Sequence, residues 1–489
     1  MTVLLDRPAL GSPLRTRLTR RVPPRLQLPL AVGLGTQAVL LLWWAAFYPG
    51  LTSYDSAVYV SQVTTDTWSS EHSVLYDALL WATLQLPGKL ALLTLGQTVL
   101  TAATLAYTCV CLRALGCRGR WTAPIALLLA MVPQTGAFVV FIWKDVPFTL
   151  CSVLVFAASA RLVARRAGPL DWWVLGVALL GLGLFRNNGP GVALVAGLAL
   201  VAVVRGFRRR LLVLTLASVA VSLFGQLWLY PALGIRQPAL SSVYSLNYHD
   251  LAVAYAGQPD LFSPADTAVM AQVAPLAAWA KGGANCYVSD QLVLGAGFDL
   301  TAATRVNDEL MGLWTKALEQ RPDLVLDARL CRGHIAWSPF PGPDDQHAGT
   351  WIPYALPAPP DLYGVAAPGT SMARNPYRFT LYNHPVWQPL HTAAEFWYNA
   401  FRVPQLDWLF YRGATWCYLG YAALLLYAGR RRMRSVYALA GVMIGFQLTV
   451  LAANPAPLYR YMVGPLFIGP FCLALLPAVR GPRARNTEV

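Results

Sequence analysis

Ten runs of roughly 20 mostly apolar residues punctuate the chain, at 28–48, 90–112, 121–141, 146–164, 171–186, 189–204, 211–232, 409–429, 435–453 and 462–479. A helix rises about 1.5 Å per residue and a bilayer's hydrocarbon core is about 30 Å thick, so each run reads as a membrane-spanning helix. The runs 171–186 and 189–204 are short and meet at Phe185-Arg186-Asn187-Asn188-Gly189-Pro190, a polar break that a lipid-exposed helix does not tolerate. A further apolar stretch, 73–87, carries Asp77 and ends at Pro87-Gly88; it predicts a helix lying along the interface. Between the seventh and eighth runs, 233–408 is polar and rich in Pro, Gly, Trp and Tyr, long enough for a separate domain. Leu310, Leu313, Trp314 and Leu318 predict a helix over 307–320, a second is expected over 264–280, and 337–376 reads as irregular. The expectation is an all-α polytopic membrane protein of about ten transmembrane helices, with a domain of mixed helix and irregular structure between helices 7 and 8.

Charge orients this pattern. Only 12% of the residues are charged, about half the soluble average, and 38 Lys+Arg stand against 23 Asp+Glu. The arginines cluster at 7–25, 113–120, 161–166, 205–210, 430–434 and 480–485. With ten spans, every cluster falls on one side, which the positive-inside rule makes cytoplasmic. Those clusters hold 23 arginines against Asp6, Asp171 and Glu488, whereas 233–408 holds 15 acids and 10 bases. The positive excess therefore belongs to topology and not to nucleic acid. The reading that follows is a bacterial plasma-membrane protein with a cytoplasmic basic N-terminus (1–27), helices 1–7 (28–232) with a first outer loop at 49–89, an extracytoplasmic domain (233–408), helices 8–10 (409–479) and a cytoplasmic tail (480–489). The first run is of full span length without a small-residue cleavage site and reads as an anchor. Of eight cysteines only Cys286 and Cys331 lie in the extracytoplasmic domain, where an oxidising exterior favours their pairing.

The few ionisable groups on the outer side are the candidate chemistry. Asp55, in Tyr54-Asp55-Ser56, reads either as a general base or metal ligand for a hydroxyl acceptor, or as a helix-capping loop residue. Asp66, Glu71 and His72 share its loop; Glu71 reads as a helix-terminal acid, and His72 as a metal ligand or a hydrogen-bonding partner for a substrate hydroxyl or phosphate. Lys144 and Asp145, at the mouth of the fourth span, form either a surface ion pair or a phosphate-neutralising cation beside a second acid. Arg186 and Arg460 end spans on the same side, where a guanidinium grips phosphate oxygens, snorkels to headgroups or forms an internal ion pair. A divalent metal is a candidate cofactor, with Asp55 and Asp145 as candidate ligands. His249, His334, His347, His384 and His391 show no metal-ligand spacing, and the aromatics Tyr382, Trp387, Trp397, Tyr398 and Trp408 read as an interfacial belt or, with the same residue types, a sugar-stacking surface. No Walker loop, dinucleotide fingerprint or Gly-x-Ser-x-Gly elbow is present.

Taken in order, Tyr48-Pro49-Gly50…Tyr54-Asp55-Ser56, the His72 segment, Trp143-Lys144-Asp145-Val146-Pro147-Phe148, Phe185-Arg186-Asn187-Asn188-Gly189 and Tyr459-Arg460-Tyr461 resemble a family of bacterial polytopic membrane proteins that is in turn similar to GT-C glycosyltransferases. Where a His-His-Pro segment is expected, the chain has Glu71-His72-Ser73. The resemblance implies transfer of a sugar from a polyprenyl-phosphate-type carrier to a cell-envelope glycan, lipid or protein. In it Asp55 is the catalytic base or orienting carboxylate, Asp145 the second acid, and Lys144, Arg186 and Arg460 the phosphate-binding set. Two other classes remain open: a transporter or flippase of a lipid-linked saccharide, which calls for polar residues continuing through the spans, and a non-catalytic envelope assembly protein, indifferent to the loss of Asp55.

Overall fold

The computed structural model describes residues 23–478 except Gly88, Ala296, 344–369 and Ser371. The arginines at 7–21 and 480–485, His347 and most of the expected irregular stretch 337–376 lie outside the described residues. What is described is overwhelmingly helical, with two isolated β-bridges and no strand.

Among the described residues six helices are long and apolar enough to cross a membrane: Leu26–Ala46, Leu90–Leu115, Asp145–Val163, Arg208–Ala232, Arg434–Ala452 and Tyr459–Ala478. The chain is therefore a multi-pass membrane protein by the length and composition of its helices. The run expected at 121–141 is two helices, Gly119–Met131 and Pro133–Val140, meeting at 80°. Pro133 lacks the amide that would continue the first helix, and Val132 before it is extended, as pre-proline residues prefer. The runs 171–186 and 189–204 appear as the shorter helices Pro169–Phe185 and Gly189–Val203, broken at Arg186-Asn187-Asn188. Gly413–Arg431 is a helix of 19 residues at the eighth expected position.

The ends of these helices are tied together in two separate sets of contacts. At the arginine-rich end, Arg161 Nε and Tyr107 Oη donate to Asp171, Tyr427 Oη donates to the Leu115 carbonyl, and Arg431 donates to the Ala478 carbonyl. At the other end, the Leu51 amide donates to Val140, Ser73 Oγ to Leu184, and Arg329 to Ala452. One apolar core joins the bundle, from Val32 to Ala478.

The stretch 233–408 holds two differently packed parts. Helices Ser245–Gly257, Pro264–Ala271, Leu276–Ala284, Asn307–Gln320 and Pro322–Arg332 build their own core around Tyr248, Trp279, Leu310 and Val325. The single helix expected over 264–280 is thus two, because Pro275 interrupts the amide ladder ahead of Leu276. Cys286 and Cys331 are joined in a disulfide across this unit, their Cα atoms 5.7 Å apart. Residues 376–400 instead pack on the first helices: Asn383 Nδ2 donates to the Phe47 and Gly50 carbonyls, the His384 amide to Tyr48 and the Val386 amide to Ala45.

Beneath the arginine-poor end, Asp77 on the helix Val74–Leu84 is fully buried and neither carboxylate oxygen has a hydrogen-bond partner. Burial pushes its carboxyl up to about 7, Lys144 counteracting only in part. The folded state thus keeps a proton that the unfolded chain releases near pH 4, and stability falls as pH rises from about 4 to about 7. Asp77→Asn removes the penalty, so its melting-temperature advantage over wild type should grow between pH 5 and pH 8; a constant difference across that range would contradict the assignment.

Candidate functional site

Asp55 sits in the first turn of the helix Tyr54–Thr64, but it is not the cap. Ser53 occupies the N-cap, its amide donating to Ser56 Oγ at 3.0 Å, so the Asp55 carboxylate is released for another partner. That partner is Arg460, whose Nη1 donates to Asp55 Oδ2 at 2.6 Å across 405 residues of sequence.

Two further pairs lie beside the first. Arg186 Nη1 donates to Asp145 Oδ1 at 2.6 Å, and Lys144 Nζ donates to His72 Nδ1 at 2.6 Å. Lys144 and Asp145, adjacent in sequence, thus serve different partners and not each other. A lysine ammonium has no lone pair, so Nδ1 is the acceptor and the neutral imidazole carries its proton on Nε2. The Asp55, Arg186 and Arg460 side chains are 12–19% exposed and Asp145 only 2%, so the cluster sits in a narrow cleft with its Asp55, Arg186 and Arg460 edges partly accessible.

Short local bonds bring these five segments together. The Leu51 amide donates to the Val140 carbonyl and the Ile142 amide to Leu51, each at 2.9 Å, while Ser56 Oγ donates to Ile142. This fixes the Asp55 helix against the Trp143-Lys144-Asp145 turn. Trp143 stacks on Phe141 with ring centroids 4.1 Å apart, and its Nε1 donates to Ser53 Oγ at 2.6 Å. Ser73 Oγ caps its own helix by accepting from the Tyr76 amide and donates to Leu184, and Asn187 Nδ2 donates to Glu71. Glu71 is therefore not the cap; it offers its carbonyl, and its carboxylate is left exposed. Tyr461 lies under both guanidiniums, 4.8 Å from Arg186 and 5.2 Å from Arg460. Face-on stacking holds a guanidinium in place and leaves its N–H edges available.

Burial disfavours charge on Asp55, but the Arg460 guanidinium, with smaller contributions from His72 and Lys144, reverses this and holds the carboxyl well below the usual carboxylate range. Burial and then the Lys144 ammonium push the His72 imidazole down to about 3. Burial also lowers Lys144, against the attraction of Asp55 and Asp145. Because His72 is depressed, the unfolded chain takes its proton near pH 6.5 while the folded protein resists until about 3; stability falls with falling pH through that window. His72→Gln should therefore flatten the loss of thermal stability between pH 7 and pH 4 relative to wild type, and an unchanged slope would show that His72 does not titrate in this way.

Asp290 was not among the expected site residues. The Ser289 amide and hydroxyl both donate to the Pro455 carbonyl, at 2.9 and 3.1 Å, and this sets Asp290 in the field of Arg460 and Asp55. Burial raises its carboxyl, against Ser289 and Arg460. Nothing in the sequence around Asp290 marks it, since the contact depends on how the 245–332 unit docks. Asp66 and the other described histidines take no part in the cleft: His249 is held between Gly282, Asn285 and Arg332, and His391 Nδ1 meets the Ala46 carbonyl. Among the described residues no group of three or more His, Cys, Asp or Glu side chains is arranged to hold a metal; Asp55 and Asp145 each face a guanidinium instead. The chain matches no family model, no curated protein and no solved structure.

Proposed function

We propose that the chain is an integral membrane glycosyltransferase of GT-C type that moves a sugar from a polyprenyl-phosphate carrier to an extracytoplasmic envelope acceptor in a bacterial plasma membrane. The observation that carries this reading is the convergence of Lys144, Arg186 and Arg460 with Asp55 and Asp145 on one cleft at the arginine-poor end. A lipid-phosphate leaving group needs cations at headgroup depth, and a hydroxyl acceptor needs a carboxylate beside them.

In the chemistry we propose, the acceptor hydroxyl binds Asp55, its oxygen attacks the anomeric carbon, the bond from that carbon to the phosphate oxygen breaks, and the lipid phosphate leaves against the cations. The acceptor proton passes to Asp55 and the configuration inverts. Asp55 paired with Arg460 is a weak base. A donor phosphate that draws Arg460 toward itself frees the carboxylate and raises its basicity, so base strength arrives with the donor. Ten spans with both termini cytoplasmic and 233–408 outside accord with the two separate sets of end contacts, although the helices 169–185 and 189–203 are short for a full crossing. Transfer assays with labelled polyprenyl-phosphate sugars and envelope acceptors test the reading, and the absence of transfer from any donor to any acceptor would sink it.

A further inference from the structure

At the arginine-rich end, away from the Asp55–Arg460 pair, the helix Arg208–Phe224 and the preceding turn line an open surface groove of about 550 Å³. Arg209 and Arg210 stand at its mouth, and Val213, Leu214 and Ala217 continue along its wall. These positions follow helical spacing on one face, and Ala217 lies about 10 Å below Arg210 along the axis. Gly206, at φ +98°, turns the chain into the helix, and a side chain there would meet nothing within 4 Å, so the mouth is open. The Arg210 guanidinium lies 4.0 Å from the Trp172 ring centroid, and Trp172 in turn meets Phe207 edge-on at 5.5 Å.

The two arginines have no carboxylate partner among the described residues. Arg208 is already spent on the Val201 and Ala202 carbonyls, and the nearby Asp171 receives Arg161, Tyr107 and the Gly168 amide. Two guanidiniums without a carboxylate partner among the described residues, one pre-oriented by stacking, therefore stand at the head of an open apolar groove along a helix long enough to cross a membrane. Stacking immobilises the plane of Arg210 and leaves its N–H edge for an anion. Basic pockets between membrane helices suit lipid headgroups, and only a ligand with an anionic head and an apolar tail satisfies both halves of this one.

We propose that this cleft is a specific site for an anionic phospholipid, its phosphodiester held by Arg209 and Arg210 and one acyl chain lying along Val213, Leu214 and Ala217. Native mass spectrometry of the full chain, with phosphatidylglycerol and phosphatidylcholine offered in equal amounts, tests it. Wild type should retain phosphatidylglycerol about tenfold over phosphatidylcholine. Arg209→Gln/Arg210→Gln should bring the ratio close to one, and Val213→Trp, at an exposed wall position, should lower occupancy with both cations intact. Arg430→Gln/Arg434→Gln removes equal charge from the same end and should leave the preference unchanged. Equal retention of the two lipids by wild type, an equal loss in both arginine double variants, or full retention in Val213→Trp would each overturn the site.

Discussion

Asp55→Asn should reduce sugar transfer by about 10²–10⁴-fold, the usual contribution of a positioned general base, while the protein remains folded. The amide keeps the size of the carboxylate and one acceptor oxygen for Arg460 Nη1, so the cleft stays assembled, but it accepts no proton from the acceptor hydroxyl. Donor binding should change little, because Arg460, Arg186 and Lys144 remain. The distinguishing measurement is therefore turnover against donor affinity with a labelled polyprenyl-phosphate sugar: turnover collapses and affinity persists. Arg460→Lys should show the converse emphasis, with weakened donor binding, because an ammonium replaces neither the planar contact with Tyr461 nor a two-pronged grip on phosphate. Undiminished transfer by Asp55→Asn would remove Asp55 from the chemistry, leaving a residue that only holds Arg460.

Asp250→Asn should be the most damaging single change to folding. Asp250 is fully buried and receives Arg332, Arg329 Nε and Trp314 Nε1 on its two oxygens. Removing one partner of a buried ionic cluster costs about 3–5 kcal/mol, because the remaining charges stay buried without an anion. The damage should spread to the cleft, since the Arg332 carbonyl accepts from Asn454 and Arg329 donates to Ala452, on the connection that leads to Arg460. Thermal unfolding in detergent and protease cutting within 245–332 measure it: the variant should melt lower and be cut faster. Asp323→Asn, which breaks the exposed pair with Arg321, is the control and should melt with wild type. Equal melting of the two variants would show that the buried cluster carries no more stability than a surface contact.

What the sequence discloses depends on how far apart the interacting residues are. The helix Asn307–Gln320 matches its expected limits because its apolar spacing and the following Arg321-Pro322 are local signals. Asp55, Lys144, Asp145, Arg186 and Arg460 stand out as ionisable groups beside apolar runs, where water alone does not explain them. Their pairing is not local: the adjacency of Lys144 and Asp145 suggests one ion pair, whereas packing gives each a different partner. Apolar length also overstates what a run can do, since Pro133 bends one expected span and Arg186-Asn187-Asn188 shortens two others. Asp290 and the Asn383 bonds to the first loop are invisible for the same reason, as each depends on docking between segments far apart in sequence.

The bond between Asp55 and Arg460 also sets a schedule for biosynthesis. A ribosome adding about 5–20 residues per second needs roughly 20–80 s to travel from the first of these residues to the second. Throughout that interval the emerging chain holds a carboxylate in its first loop with its guanidinium not yet made, and for most of it the Asn383 clamp on the same loop is also still to come. The cleft is therefore among the last features to be completed, and a chain that stalls before residue 460 leaves a membrane-inserted fragment without it. Chains truncated after residue 232 should insert and yet lack both the Asp55–Arg460 bond and the Asn383 clamp.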